Sequence, residues 1–451
     1  MTQKADRRTR VDEIFRAFDR SDAPGCDVGV IREGVFVYRR GFGLASLEYE
    51  VPIGPHSTFH IASTSKQFTA MAILLLAEEG KLSLDDDVRG HLGELPYYGR
   101  EMTIRHLLHH TSGLRDYTEL AAVGRLFRRR LTDADVLQLL ANQQGLNFPP
   151  GESFLYSNSN YFLLSQLVQR AAGESLAEYA ERRIFAPLGM TNTHFHDDPT
   201  RVVKHLAGGY EPAPESGFRI VLPLVSQVGD GGLVTSVEDL LRWDDNFYEN
   251  RLGERDPSLT QTMLSPGVRA DGTSTGYGCG LLVDDYRGLA AVSHSGWSSG
   301  YGSEMLRFPG SNLTVVVLSN CADAAPWELA REVAEVYLGD LFQPIEPEAP
   351  DLEDRQSSDT EVVPPSRAET CRCVGTYHSD EFEIDYAFEQ REGALVFIGI
   401  DGDLVPLTRR GRGEYVLVDF LFKFDFNDDE PATGFELDCS HSKGMRFTRR
   451  G

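Results

Sequence analysis

The sequence has no run of apolar residues long enough to cross a bilayer. Its longest, Ala70 to Ala77, covers eight positions, where a membrane helix needs about twenty. Cysteine is scarce and irregularly placed, at 26, 279, 321, 371, 373 and 439. That excludes a disulfide scaffold and points to free thiols in a reducing compartment. Positive charge is in deficit: 44 Lys and Arg stand against 69 Asp and Glu, for a formal net charge of −25. Nucleic acid and anionic membrane would both be repelled, so neither is expected as a partner. Met1 to Arg10 is charged, without an apolar core or a small-residue cleavage site. No secretory signal is therefore read, and the cytoplasm is expected. The sequence also lacks an internal repeat of the solenoid type.

What is present reads as an ordinary globular protein, with 41% hydrophobic and 25% charged residues. A chain of 451 residues exceeds what one core usually fills, so two domains are expected. Residues 26–40 read as a hairpin around Glu33 and Gly34. A helix-rich middle follows, with capping boxes at Thr132 to Asp135 and Ser175 to Glu178. From Tyr277 to Asn320 the pattern turns to strands joined by short glycine turns, an antiparallel meander closed by a helix over Pro326 to Leu338. The expected class is α+β: an antiparallel sheet flanked by helices, with a helical subdomain inserted.

Residues 343–370 hold five prolines and eight acidic residues against two arginines, and read as a linker. Beyond it, Phe382, Ile384 and Tyr386 alternate with polar neighbours, as do Phe422, Phe424 and Phe426. Turns at regular spacing predict a small all-β barrel or meander of about eight strands over 371–451. If its first and last strands pair, Cys371 and Cys373 would approach Cys439 and His441. Half-buried strand residues account for these better than a metal site, and no metal or cofactor is expected.

One helix opening carries chemistry. Ser63 and Lys66 are three apart and share a face, with the apolar run Ala70 to Leu76 behind them. A lysine buried there must lose pKa, which makes it a base able to deprotonate serine, the S-x-x-K arrangement. A second copy, Ser440 to Lys443, lies among short alternating segments and reads as solvated hairpin. Two further elements follow in order: Tyr156-Ser157-Asn158 before a helix over Tyr161 to Ala172, and His294-Ser295-Gly296 at the end of a strand. Each has a decoy, Tyr248 to Asn250 and His91 to Gly93, that fits no such ordered set.

The ordered set resembles the three motifs of the penicillin-binding-protein and class C β-lactamase superfamily. His110 to Leu114, Pro187 to Thr191 and Gly231 to Trp243 match as well, so the resemblance covers roughly residues 10–340. The carboxy-terminal region resembles the lipocalin-like barrel appendage of D-aminopeptidases. The resemblance implies that Ser63 is acylated, that Lys66 and Tyr156 share the proton transfers, and that Asn158 orients the substrate amide. It further implies a substrate-binding strand at His294 and Gly296, with backbone N–H groups of Ser63 and Trp297 as the oxyanion hole.

One departure matters. Many members carry lysine in the third motif as a carboxylate anchor; this chain has His294, mostly uncharged at neutral pH. The expected function is a D-aminopeptidase or a hydrolase of D-amino-acid peptides and amides, acting on a small molecule or short peptide. The alternatives are a carboxylesterase of the same build, a β-lactamase or penicillin-binding protein, and a non-catalytic scaffold. The barrel is read equally as an active-site contributor or as a packing or oligomerisation module.

Overall fold

In the computed structural model, which describes residues 2–215, 217–222, 227–253, 259–344, 367–399, 401–425 and 430–450, a six-stranded antiparallel sheet organises the first 340 residues. Its strands run in the order Leu282–Tyr286, Leu289–Ser298, Tyr301–Phe308, Leu313–Ser319, Cys26–Arg32 and Val35–Phe42. Tyr301–Phe308 and Leu313–Ser319 are buried throughout, because helices cover both faces. Alternation sorts their side chains. Val28, Val30, Val315 and Val317 pack with the helix Pro326–Leu338, while Ile31, Val316 and Leu318 join the core around the helix that follows Ser63. The helix Val237–Glu249 seats fully buried Trp243 against Phe68, with ring centroids 4.3 Å apart.

Between the hairpin and the meander lies the helical subdomain, including Ile104–Leu108, Tyr117–Val123, Asp133–Ala141 and Asn158–Ala172. The expected capping boxes at Thr132 and Ser175 are both formed. A small sheet of Phe59–His60, Leu233–Thr235 and His194–Phe195 stands beside the start of the helix that follows Ser63.

The carboxy-terminal region is a nearly closed barrel of nine antiparallel strands, one more than the turn spacing implies. The chain bends at Leu407 between Leu404–Pro406 and Thr408–Gly411, the sheet's two outer strands, which one continuous segment would otherwise have merged. Tyr377, Phe388, Phe422, Phe424, Phe435 and Phe447 fill the interior. Phe426 and most of the proline-rich stretch fall outside the described residues.

Two expectations need correcting. Gly375–Ser379 and Met445–Arg449 do pair, but Cys371 and Cys373 lie on a helix, Arg367–Cys373, and not on a strand. Among the described residues no cluster of His, Cys, Asp and Glu has a geometry that would hold a metal. The Ser440 to Lys443 segment is the turn of the last hairpin, with Ser440 and Lys443 exposed as expected, but it is not solvated throughout: Ser442 is completely buried against the helical subdomain. Nor is any described helix long and apolar enough to cross a membrane.

Candidate active site

Ser63 sits in a 3-10 turn, Ala62–Ser65, that runs into the helix Lys66–Glu78. Ala62, just before it, is held at φ 45°, a left-handed conformation that a non-glycine residue adopts only when its surroundings impose it. The turn packs against the strand Leu289–Ser298, where Thr64 Oγ1 donates to the His294 carbonyl at 3.0 Å.

Lys66 is fully buried in the first turn of its helix. Its Nζ donates to Ser63 Oγ at 3.0 Å, to Asn158 Oδ1 at 2.9 Å and to the Asp230 carbonyl at 2.6 Å. Three acceptors match the three protons of an ammonium. Burial nevertheless drives its pKa below the usual lysine value, with Asp230 and Asp116 pulling part of the way back. The helix N-terminus adds to the depression, since its dipole repels a cation. When the proton facing Ser63 leaves, that hydrogen bond can reverse, and the amine can accept from the hydroxyl.

Asp230 is buried, with Oδ2 accepting from Tyr117 Oη at 3.0 Å and Oδ1 without a partner. Burial raises its pKa above the ordinary carboxylate value. Asp116 caps the next helix through Oδ1 and accepts from the Asn158 N–H through Oδ2 at 2.6 Å.

Tyr156 is wedged between aromatic rings, with His110 at 4.3 Å and Tyr277 and His294 at 6.2 Å. Lys66 Nζ lies 4.8 Å from its ring centre. Its hydroxyl is buried and faces Ser63, whose influence opposes the burial, but it makes no formed hydrogen bond. Burial dominates and lifts its pKa well above the phenol norm.

His294 is buried and neutral. Nδ1 lies 2.6 Å from the Ser295 carbonyl, so it carries the proton, and Nε2 accepts from Tyr277 Oη at 2.9 Å. Desolvation, reinforced by Lys66, lowers its pKa to about 3. The strand does not end at Ser293, as the sequence implies; it runs on to Ser298. Its partner Leu282–Tyr286 stops pairing at Ser293, so on that side the edge from His294 onward has no paired strand among the described residues. A Cβ on Gly296 would stand 2.2 Å from the Ile61 carbonyl and 3.0 Å from Ser63 N. Only glycine lets strand and nucleophile turn approach so closely. The Trp297 side chain points outward, 62% exposed.

The structure thus brings Ser63, Lys66, Asn158, Tyr156, His294 and Gly296 into one neighbourhood. The decoys lie apart: His91 pairs with Asp86 at 3.1 Å, and Tyr248 covers Arg307. Sequence reasoning missed Asp116, Asp230, Tyr277, Glu119 and His441. Asp116 lies two residues beyond the His110 to Leu114 stretch and Asp230 directly precedes Gly231, so closeness to matched segments was the available signal.

Comparison with known proteins shows the family of the chain. The beta-lactamase family profile matches residues 11–337. The chain is 30% identical over 394 residues to penicillin-binding protein 4* of Bacillus subtilis (strain 168), covering 83% of this chain and 84% of that one. It is 33% identical over 330 residues to a D-aminopeptidase of Gluconobacter oxydans (strain 621H), covering 73% of this chain but only 61% of the longer relative. Among solved structures, an octameric penicillin-binding protein homologue from Pyrococcus abyssi superposes over 99% of both chains, with a TM-score of 0.66 at 24% identity. The family's match across most of the first 340 residues, together with the serine, lysine and tyrosine gathered in one cleft, makes this chain a member of the beta-lactamase family and a serine hydrolase.

Proposed function

We propose that this chain hydrolyses amides or short peptides of D-amino acids through an acyl-enzyme on Ser63. The observation that carries the reading is the 3.0 Å contact between Ser63 Oγ and the buried Lys66 amine. Opposite pKa displacements divide the proton work: Lys66, pushed down, is the base, and Tyr156, pushed up, stays protonated as the acid. Lys66 takes the Ser63 proton as Oγ attacks the scissile carbonyl. Backbone N–H groups of Ser63 and Trp297 hold the oxyanion, and Tyr156 donates a proton to the departing nitrogen. Asn158 spends Oδ1 on Lys66, which leaves its amide N–H groups for the substrate. Water then attacks the acyl-enzyme, and the same groups return Ser63.

The D-amino-acid choice is supported by similarity to a D-aminopeptidase and by His294, which offers no cation beside the scissile bond. We assign catalysis to residues 1–342, a connecting role to 343–370 and a barrel domain to 371–451. The test is a panel of D-alanine anilide, its L-isomer, a short-chain nitrophenyl ester and a chromogenic cephalosporin, with Ser63→Ala as control. Cleavage of the D-anilide alone is expected. Turnover of the ester only would make the chain a carboxylesterase, and rapid cephalosporin hydrolysis would refute the argument from His294.

A further inference from the structure

The loop joining the last two barrel strands, residues 439–444, reaches the cleft and is fixed there. Asn147 clamps it, donating from Nδ2 to the His441 carbonyl at 2.9 Å and accepting from the Lys443 N–H at 2.7 Å. Ser442 Oγ accepts from the Asp116 N–H at 3.1 Å, and Arg115 donates to the carbonyls of Lys443 and Gly444.

So held, the His441 ring meets Tyr156 edge-on, with centroids 6.4 Å apart. The His441 N–H donates to both oxygens of Glu119 at 3.0 Å, and Nδ1 lies 3.2 Å from Oε1. Donation from Nδ1 to Glu119 leaves Nε2 without a partner among the described residues, on a side chain 41% exposed. Glu119 first, then Asp116, hold the imidazole pKa above its ordinary value against partial burial and, to a lesser extent, the nearby Lys443 charge. Of the other neighbours, burial keeps His110 neutral, Tyr156 carries its proton, and the charge of Arg115, which holds the loop, is paired with Glu381. The cleft therefore has a neutral histidine on its strand side and a positively inclined one, delivered by the barrel, on its Tyr156 side.

We propose that His441, oriented by Glu119, is a specificity-determining residue whose Nε2–H receives a carboxylate on the departing portion of the substrate. The inference rests on the acyl-transfer reading, because the departing portion leaves beside Tyr156, its proton donor. The substrate class narrows to short peptides, or esters, whose leaving group carries a free carboxylate.

Two substrate pairs test this in the full-length protein. They are the D-alanine anilides of 4-aminobenzoate and 4-aminobenzamide, and the acetyl esters of 4-hydroxybenzoate and 4-hydroxybenzamide. The measured quantity is the ratio of kcat/KM within whichever pair is turned over, which does not depend on how much of a variant is folded. Wild type should favour the carboxylated member by about tenfold near about pH 6. That preference should fade as pH rises through the His441 titration. His441→Gln should remove both the preference and its pH dependence, while Glu119→Gln should move the loss to lower pH. An unchanged ratio in His441→Gln, or its loss in Lys443→Ala instead, overturns the proposal alone. Turnover of neither pair overturns it together with the acyl-transfer reading.

Discussion

Arg115 and Glu381 form an ion pair buried at both ends, with side chains 4% and 7% exposed, that joins the helical subdomain to the barrel. Arg115 Nη1 also donates to Gln143, and the Gln144 N–H donates to Glu381, so both charges are hydrogen-bonded as well as paired. The next residue, Asp116, holds the Asn158 N–H. Domain contact and active site therefore share one stretch of backbone.

Removing one partner of such a pair strands the other charge in a low-dielectric interior. Glu381→Ala should lose about 3–5 kcal/mol of stability, read from the denaturant midpoint. Glu381→Gln, which keeps a hydrogen bond, should lose less. If the two variants unfold alike, the charge itself contributes nothing.

Lys66→Ala removes the base and should lower kcat about a hundredfold to ten-thousandfold. In wild type the neutral amine is the active form, and burial lowers the pKa at which it appears. Activity should therefore rise with pH and level off well below the usual lysine titration. His294, at about 3, should leave no inflection of its own at neutral pH. A pH–rate profile that still climbs at the ordinary lysine pKa would remove Lys66 from the role of base.

Tyr156→Phe separates chemistry from stability. Among the described residues the phenol has no formed hydrogen bond and only faces Ser63, so its loss breaks little that holds the fold. Thermal midpoint should stay within about a degree or two of wild type, while kcat falls about a hundredfold or more. A large fall in melting temperature would show a structural role instead.

Gly296→Ala forces a methyl against the Ile61 carbonyl and pushes the strand away from Ser63. Activity should drop about a hundredfold through the displaced oxyanion donor, with about 1–3 kcal/mol lost from overpacking. Equal turnover in this variant would mean that the strand edge does not serve the reaction.

How much of this was legible in the sequence follows from the range of each interaction. The helix behind Ser63, the capped helices at Thr132 and Ser175 and the alternating meander depend on neighbours a few residues apart, and all appear as read. The barrel's alternation was legible, but its strand count was not, because a bend at Leu407 splits what reads as one segment. The Ser440 copy of the motif is an exposed hairpin turn as read, but nothing local marks Ser442 within it as a residue that docks on Asp116.

The sequence by itself determined that Ser63 and Lys66 would stand side by side, because a spacing of three at a helix opening is a local geometric fact. It also determined that the third motif lacks a lysine. Only the tertiary structure decided the charge state of His294, through Tyr277 and the Ser295 carbonyl. Only it could bring His441 to Glu119, 322 positions away along the chain. Burial and long-range pairing set those protonation states, and both come into being only when the whole chain has packed.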